Sequence, residues 1–137
     1  MKRLKFWLLA IVLPVVVILL IGGIILYNLI DVNLNDLNGK GQVVSTIESP
    51  NNNYVAEIRL IDENGNATTP IQQAVSISSN ASNQNQLKEE TVYWEIHSDS
   101  ETPEVIWLDE DTINVNGKII DVLDKDTYYN WQDHSEN

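Results

Sequence analysis

The stretch SPNNNYVAEIRLIDENGNAT, residues 49–68, decides the fold class. Ser49, Pro50 and Asn51 follow the preference of a type I turn at its first three positions. Tyr54, Ala56, Ile58 and Leu60 then take one face, with Glu57 and Arg59 on the other, the two-residue period of a half-buried strand. Asn64-Gly65 supplies a closing turn. Segments of this type open the blades of β-propellers, but a propeller needs several blades of about 40 residues. This segment occurs once in 137 residues, so it predicts a hairpin in one small antiparallel sheet.

Strand signals continue on both sides. Gln42 to Glu48 (QVVSTIE) is short and β-branched, and Ile71 to Ser78 predicts the returning strand. Residues 78–90, SSNASNQNQLKEE, are small and polar and predict a mobile loop. In TVYWEIH, residues 91–97, Val92, Trp94 and Ile96 alternate with Tyr93, Glu95 and His97. VIWL, residues 105–108, predicts a strand buried on both faces, and TINV-NG-KIIDV, residues 112–122, is the strongest local hairpin signal in the chain. No amphipathic helix is evident after residue 30, so a mainly β domain is expected over 42–131, with a polar tail at 132–137.

Upstream the chain changes character. Lys2, Arg3 and Lys5 precede FWLLAIVLPVVVILLIGGIILYNLI, residues 6–30, which carries no charge. As a helix those residues span about 37 Å at roughly 1.5 Å each, enough to cross a hydrocarbon core of about 30 Å. A signal peptide has a shorter apolar run of about 7–15 residues and a small-residue cleavage site, whereas this run continues through LYNLI into DVNLND without one. Pro14 is tolerated within a membrane helix. A transmembrane helix is therefore expected, in contact with the lipid bilayer through residues 6–30. The positive-inside rule puts residues 1–5 in the cytoplasm and everything from Asp31 outside it. Residues 31–41, DVNLNDLNGKG, predict a stalk linker.

All 20 acidic residues lie beyond the apolar run, against Lys40, Arg59, Lys88, Lys118 and Lys125. Such a domain is repelled by nucleic acid and anionic headgroups. There is no cysteine, hence no disulfide framework.

Few residues offer chemistry. Asp62-x-Asn64-x-Asn66 begins like a calcium loop, but the sixth position is Ala67 and the twelfth Gln73 where Gly and Glu are needed. His97 and His134 are the only histidines, too few for a zinc site without cysteines. The Asn66 and Asn80 sequons are chance matches in an Asn-rich chain. Asp109, Glu110 and Asp111 form an acidic triplet beside Trp107, and Tyr128, Tyr129 and Trp131 cluster near the C-terminus. These six residues form the candidate interaction surface. Neither a catalytic constellation nor a cofactor motif stands out.

SPNNNYVAEIRLIDENGNAT, TVYWEIHSDS, VIWLDEDTINVNGKIIDV and DTYYNW, in that order, resemble a bacterial family catalogued as domain of unknown function 5412. The resemblance covers about residues 48–131 plus the anchor and includes Trp107, Asp109, Asp111, Thr112, Asn116 and Gly117. It implies a short single-pass membrane protein with a small exported domain, and it carries no activity or functional residues with it. The expected role is a non-catalytic accessory module at the cell membrane, binding an envelope protein or polymer. The alternatives are a small envelope hydrolase using carboxylates near Trp107, and a secreted β domain released from a signal peptide.

Overall fold

The structure, a computed structural model, describes residues 1–62, 70–80, 87–96 and 102–134, with the side chains of residues 2–9 excepted. The chain divides into two units, 1–32 and 33–137. The Asn64-Gly65 turn, His97, residues 81–86 of the predicted loop and residues 135–137 of the tail lie outside the described residues, as do most of the two sequons and of the calcium-like stretch.

The first unit is helix α1, Lys2–Ile30, which contains Pro14 and ends where the Asp31 N–H donates to Tyr27 O at 3.0 Å. Within it, Ala10–Ile30 has a mean hydropathy of 2.9 and none of it is buried.

The second unit is built of strands: β1 (Gln42–Glu48), β2 (Tyr54–Ile61), β3 (Gln72–Ser79), β4 (Glu90–Ile96), β5 (Val105–Trp107), β6 (Thr112–Val115), β7 (Lys118–Asp121) and β8 (Tyr129–Asn130). The mainly β expectation therefore holds, but the strands make two sheets where one was expected. The first sheet has the order β1-β2-β3-β4-β8, and the second β5-β6-β7. All neighbours are antiparallel except β4 and β8, which run parallel with Tyr93 opposite Tyr129. A parallel pair needs a long crossover, and the whole second sheet lies within that crossover.

Two sheets exist because one apolar face needs another to cover it. From the first sheet Tyr54, Ala56, Ile58, Val75, Ile77, Val92 and Tyr93 enter the core; Val105, Ile113, Val115, Ile120 and Val122 come from the second sheet and its flank. The β1–β2 turn forms as its sequence predicts. The Asn52 N–H donates to Ser49 O at 2.9 Å, Asn52 takes φ +56°, and the buried Ser49 hydroxyl accepts from the Tyr54 N–H at 3.0 Å.

Local periodicity misassigned β4. The register slips between Val75–Tyr93 and Ser76–Thr91, leaving Val92 as an extra residue. A bulge of this kind shifts every later side chain to the opposite face. Val92 and Tyr93 thus both enter the core, and Trp94, expected beside Val92, is buried on the far face. There its indole donates to Gln72 Oε1 at 3.0 Å and meets Trp131 edge-on at 5.6 Å. β5 also departs from expectation: Val105 is buried, but Ile106 is 49% exposed, because the outer face of the second sheet has no covering layer among the described residues.

The predicted stalk is the largest difference. From Asn33 it belongs to the domain: Leu34–Leu37 form a 3-10 turn, closed by an Asn33/Asp36 capping box, and bury Leu37 to 4% exposure. Asn38 Oδ1 accepts from the Thr91 N–H at 2.7 Å and its hydroxyl at 2.9 Å, and the Gly39 N–H donates to Glu89 Oε1 at 3.0 Å. Arg59, largely buried on the same face, pairs with Glu57 at 2.6 Å and Glu89 at 2.9 Å and donates to Gly41 O. Gly41 takes φ +82°, and a Cβ there would lie 2.6 Å from Leu60 O, so no other residue fits. A composition rich in Asn and Gly thus serves here to satisfy backbone groups and to permit a close approach.

Candidate functional site

Asp109, Glu110 and Asp111 form the β5–β6 turn. Asp109 Oδ1 accepts from the Thr112 N–H at 2.8 Å and the Asp111 N–H at 3.1 Å, so its carboxylate caps the turn. The bond from Asp111, above all, holds Asp109 below the usual carboxylate range. Asp111 moves the opposite way, through desolvation first and then through its neighbour Asp109. Glu110 is exposed. Among the described residues no group of three His, Cys, Asp or Glu side chains could hold a metal ion.

The three aromatic candidates separate. Tyr128 donates to Val122 O at 2.9 Å and to Glu90 Oε2 at 3.2 Å, and Glu90 also pairs with Lys125 at 2.7 Å. Burial, reinforced by Glu90, raises the Tyr128 phenol far above its ordinary value. Tyr129 stacks on Tyr93 at 5.3 Å on the core side of the first sheet, and Trp131 lies on the other side against Trp94. Alternation alone would keep residues 129 and 131 on one side; they separate because β8 ends at Asn130 and Trp131 opens a 3-10 turn. Val122 links the turn to Tyr128: its N–H donates to Asp111 O at 2.9 Å, and its carbonyl accepts from the Tyr128 hydroxyl.

Around Tyr129 the structure assembles residues that the sequence left apart. The His134 ring stacks on Tyr129 at 4.9 Å and its Nδ1 lies 3.0 Å from Asn130 O, while Lys118 Nζ sits 4.6 Å from the centre of the Tyr129 ring. The sequence places His134 in a polar tail; it belongs to a 3-10 turn, Trp131–His134. Beneath this stack the Tyr93 hydroxyl donates to Glu95 and accepts from Asn116 Nδ2 at 3.0 Å, and Asn116 also donates to Gln73 Oε1 at 3.2 Å. Burial first, and then the Glu95 carboxylate, push the Tyr93 phenol well up. A phenol held neutral and donating to a carboxylate is a poor base or nucleophile at neutral pH. The network instead ties the first sheet to the β6–β7 turn. Only the Asn-Gly dipeptide hinted at it, through the turn that brings Asn116 there.

A shallow pocket of about 230 Å³ opens between Asn33, Asn35, Lys125, Tyr128, Asn130 and Asp133. Several of its polar groups already have protein partners: Lys125 and Tyr128 engage Glu90, and Asn130 Oδ1 accepts from the Gln132 N–H.

One long apolar helix followed by a small two-sheet β domain defines a short protein of helix-plus-module type. The family model described as "Family of unknown function (DUF5412)" matches residues 3–134. The chain belongs to that family. No curated protein and no solved structure matches it.

Proposed function

We propose that the chain is a single-pass membrane protein whose N-terminus is cytoplasmic and whose β domain works outside the cytoplasm as a non-catalytic interaction module. The observation that carries this reading is α1, a 29-residue helix whose apolar portion begins just after three basic residues. By length and composition it is able to cross a membrane, a property that signal sequences share. The non-catalytic part draws support from the candidate groups themselves: Asp109 caps a turn, Tyr93 is a buried donor and Tyr128 a half-buried one, and His134 stacks on a tyrosine.

The absence of cysteine makes the test direct. Asp126→Cys introduces a single thiol on an exposed residue. A membrane-impermeant maleimide is expected to label it in intact cells at full length. Labelling only after lysis refutes the orientation, and a shortened labelled product in the medium favours the released domain.

A further inference from the structure

The outer face of the second sheet carries a strip of exposed apolar residues in a small acidic domain. Ile106, Asn114 and Ile119 stand directly opposite one another on β5, β6 and β7. Their partners along the strands, Trp107, Ile113 and Ile120, point into the core, so these three point outward. Leu108 continues the outward row beside Thr112, whose carbonyl accepts from the Leu108 N–H at 2.8 Å. Ile106 is 49% exposed, Leu108 51%, Ile119 64% and Leu123 57%. Asn114 does not make the row polar, because its Oδ1 is turned onto the Gly117 N–H at 2.8 Å.

Carboxylates ring this row. Glu104 precedes β5, Asp109 and Glu110 form the turn at its far end, Asp121 closes β7, and Asp124 follows. The only Lys or Arg side chains in residues 102–134 are Lys118 and Lys125, and both are engaged elsewhere, over the Tyr129 ring and with Glu90. An apolar strip with an uncompensated anionic rim selects its occupant by charge. A second copy would bring the same rim against it, and anionic lipid or nucleic acid is repelled. The dimensions are also selective. Three strands at about 4.8 Å spacing and three or four residues long give a face roughly 10–13 Å on a side, which one α-helix of about 10 Å diameter covers.

We infer that the outer face of β5–β7 docks an amphipathic helix of a partner protein, with the helix's apolar stripe on Ile106, Leu108, Ile119 and Leu123 and flanking Lys or Arg residues meeting the carboxylate rim. This rests on the interaction-module reading and specifies the surface and the chemistry of its partner.

The test uses the full chain in zwitterionic lipid nanodiscs, titrated with a synthetic 15-residue helix of Leu and Lys in amphipathic order. The same titration with the Ile106→Asn/Ile119→Asn double variant cancels peptide partitioning into lipid. The native chain is expected to bind at least tenfold more tightly than the double variant. Asp109→Asn/Glu110→Gln is expected to bind more weakly and with a shallower salt dependence, and Val44→Asn, on the first sheet, to bind like the native chain. Near-UV circular dichroism verifies folding, and the single variants Leu108→Ser and Leu123→Ser, each expected to weaken binding, replace the double variant if it misfolds. Equal affinity of native and variant chains overturns the inference, as does equal binding of a Leu/Glu helix. Self-association of the native chain that the double variant abolishes also overturns it, making the face a contact between copies. Because the assay contains no cell, its failure leaves the orientation result untouched, and the reverse is equally true.

Discussion

Asn116 sits at φ +49° and Gly117 at φ +84°, a backbone that costs an ordinary L-residue about 1–2 kcal/mol. Asn116 also serves Tyr93, Gln73 and the Glu104 N–H, the last at 2.9 Å. Asn116→Ala is expected to cost about 2–4 kcal/mol, summing backbone strain and orphaned partners. Asn116→Gly relieves the strain alone, so it should recover only about 1–2 kcal/mol in urea unfolding. Recovery of the full loss would mean that the Tyr93 network contributes nothing. Tyr93 and Tyr128 predict the alkaline behaviour. Both phenols are raised in the folded domain, so above about pH 10 the unfolded chain binds fewer protons and stability falls as pH rises. The expected slope is about 1.4 kcal/mol per pH unit for each tyrosine, and Tyr93→Phe should remove one such share.

At the scale of the element, the β5–β6 turn depends on Asp109 and not on its neighbours. Asp109 is depressed in the fold, so its contribution is present above the unfolded carboxylate value near pH 4 and is lost as pH falls through the folded one. Asp111 is raised, so its contribution has the opposite sign and declines as pH rises. Asp109→Asn is therefore expected to lower the melting temperature at pH 7 and to have little effect at pH 2. Asp111→Asn is expected to leave the pH 7 value unchanged or higher. The 3-10 turn at Leu34–Leu37 gives a sharper test: Leu37→Ala should cost about 2–4 kcal/mol, where a free stalk would give nothing. What sequence revealed about elements follows the range of the forces involved. Turn chemistry and side-chain alternation act within four or five residues, so β1, β2, β3 and both ends of the β6–β7 hairpin could be read from the chain. The bulge at Val92 is fixed by pairing with β3, and the docking of Asn38 by Thr91 fifty-three residues away, so neither leaves a local trace. The six candidate site residues were dispersed for the same reason. Tyr129 and Trp131 part because β8 stops at Asn130 and the chain turns into a 3-10 helix there, and nothing in DTYYNW states where β8 will pair or end.

For the molecule as a whole, the unit beginning at Asn33 carries its own core and its own hydrogen-bonded N-terminal segment. A fragment starting at Asn33 is expected to show a strand-rich far-UV spectrum and a cooperative thermal transition. One starting at Gln42 forfeits the Leu37 burial and the Asn38 and Gly39 bonds and should melt markedly lower. Equal melting of the two fragments would return residues 33–41 to the status of a tether.

The parallel pairing of β8 with β4 has a temporal consequence. Synthesis releases the β1–β4 meander early, yet the flank of β4 at Tyr93 and Trp94 is paired by Tyr129 and Asn130, which emerge only after the whole second sheet. Until the ribosome reaches them, the nascent protein carries a bare strand flank, the feature that recruits other unfinished copies. Premature stop codons before Tyr129 should accordingly yield inclusions and proteolysis, not a shortened product that still works.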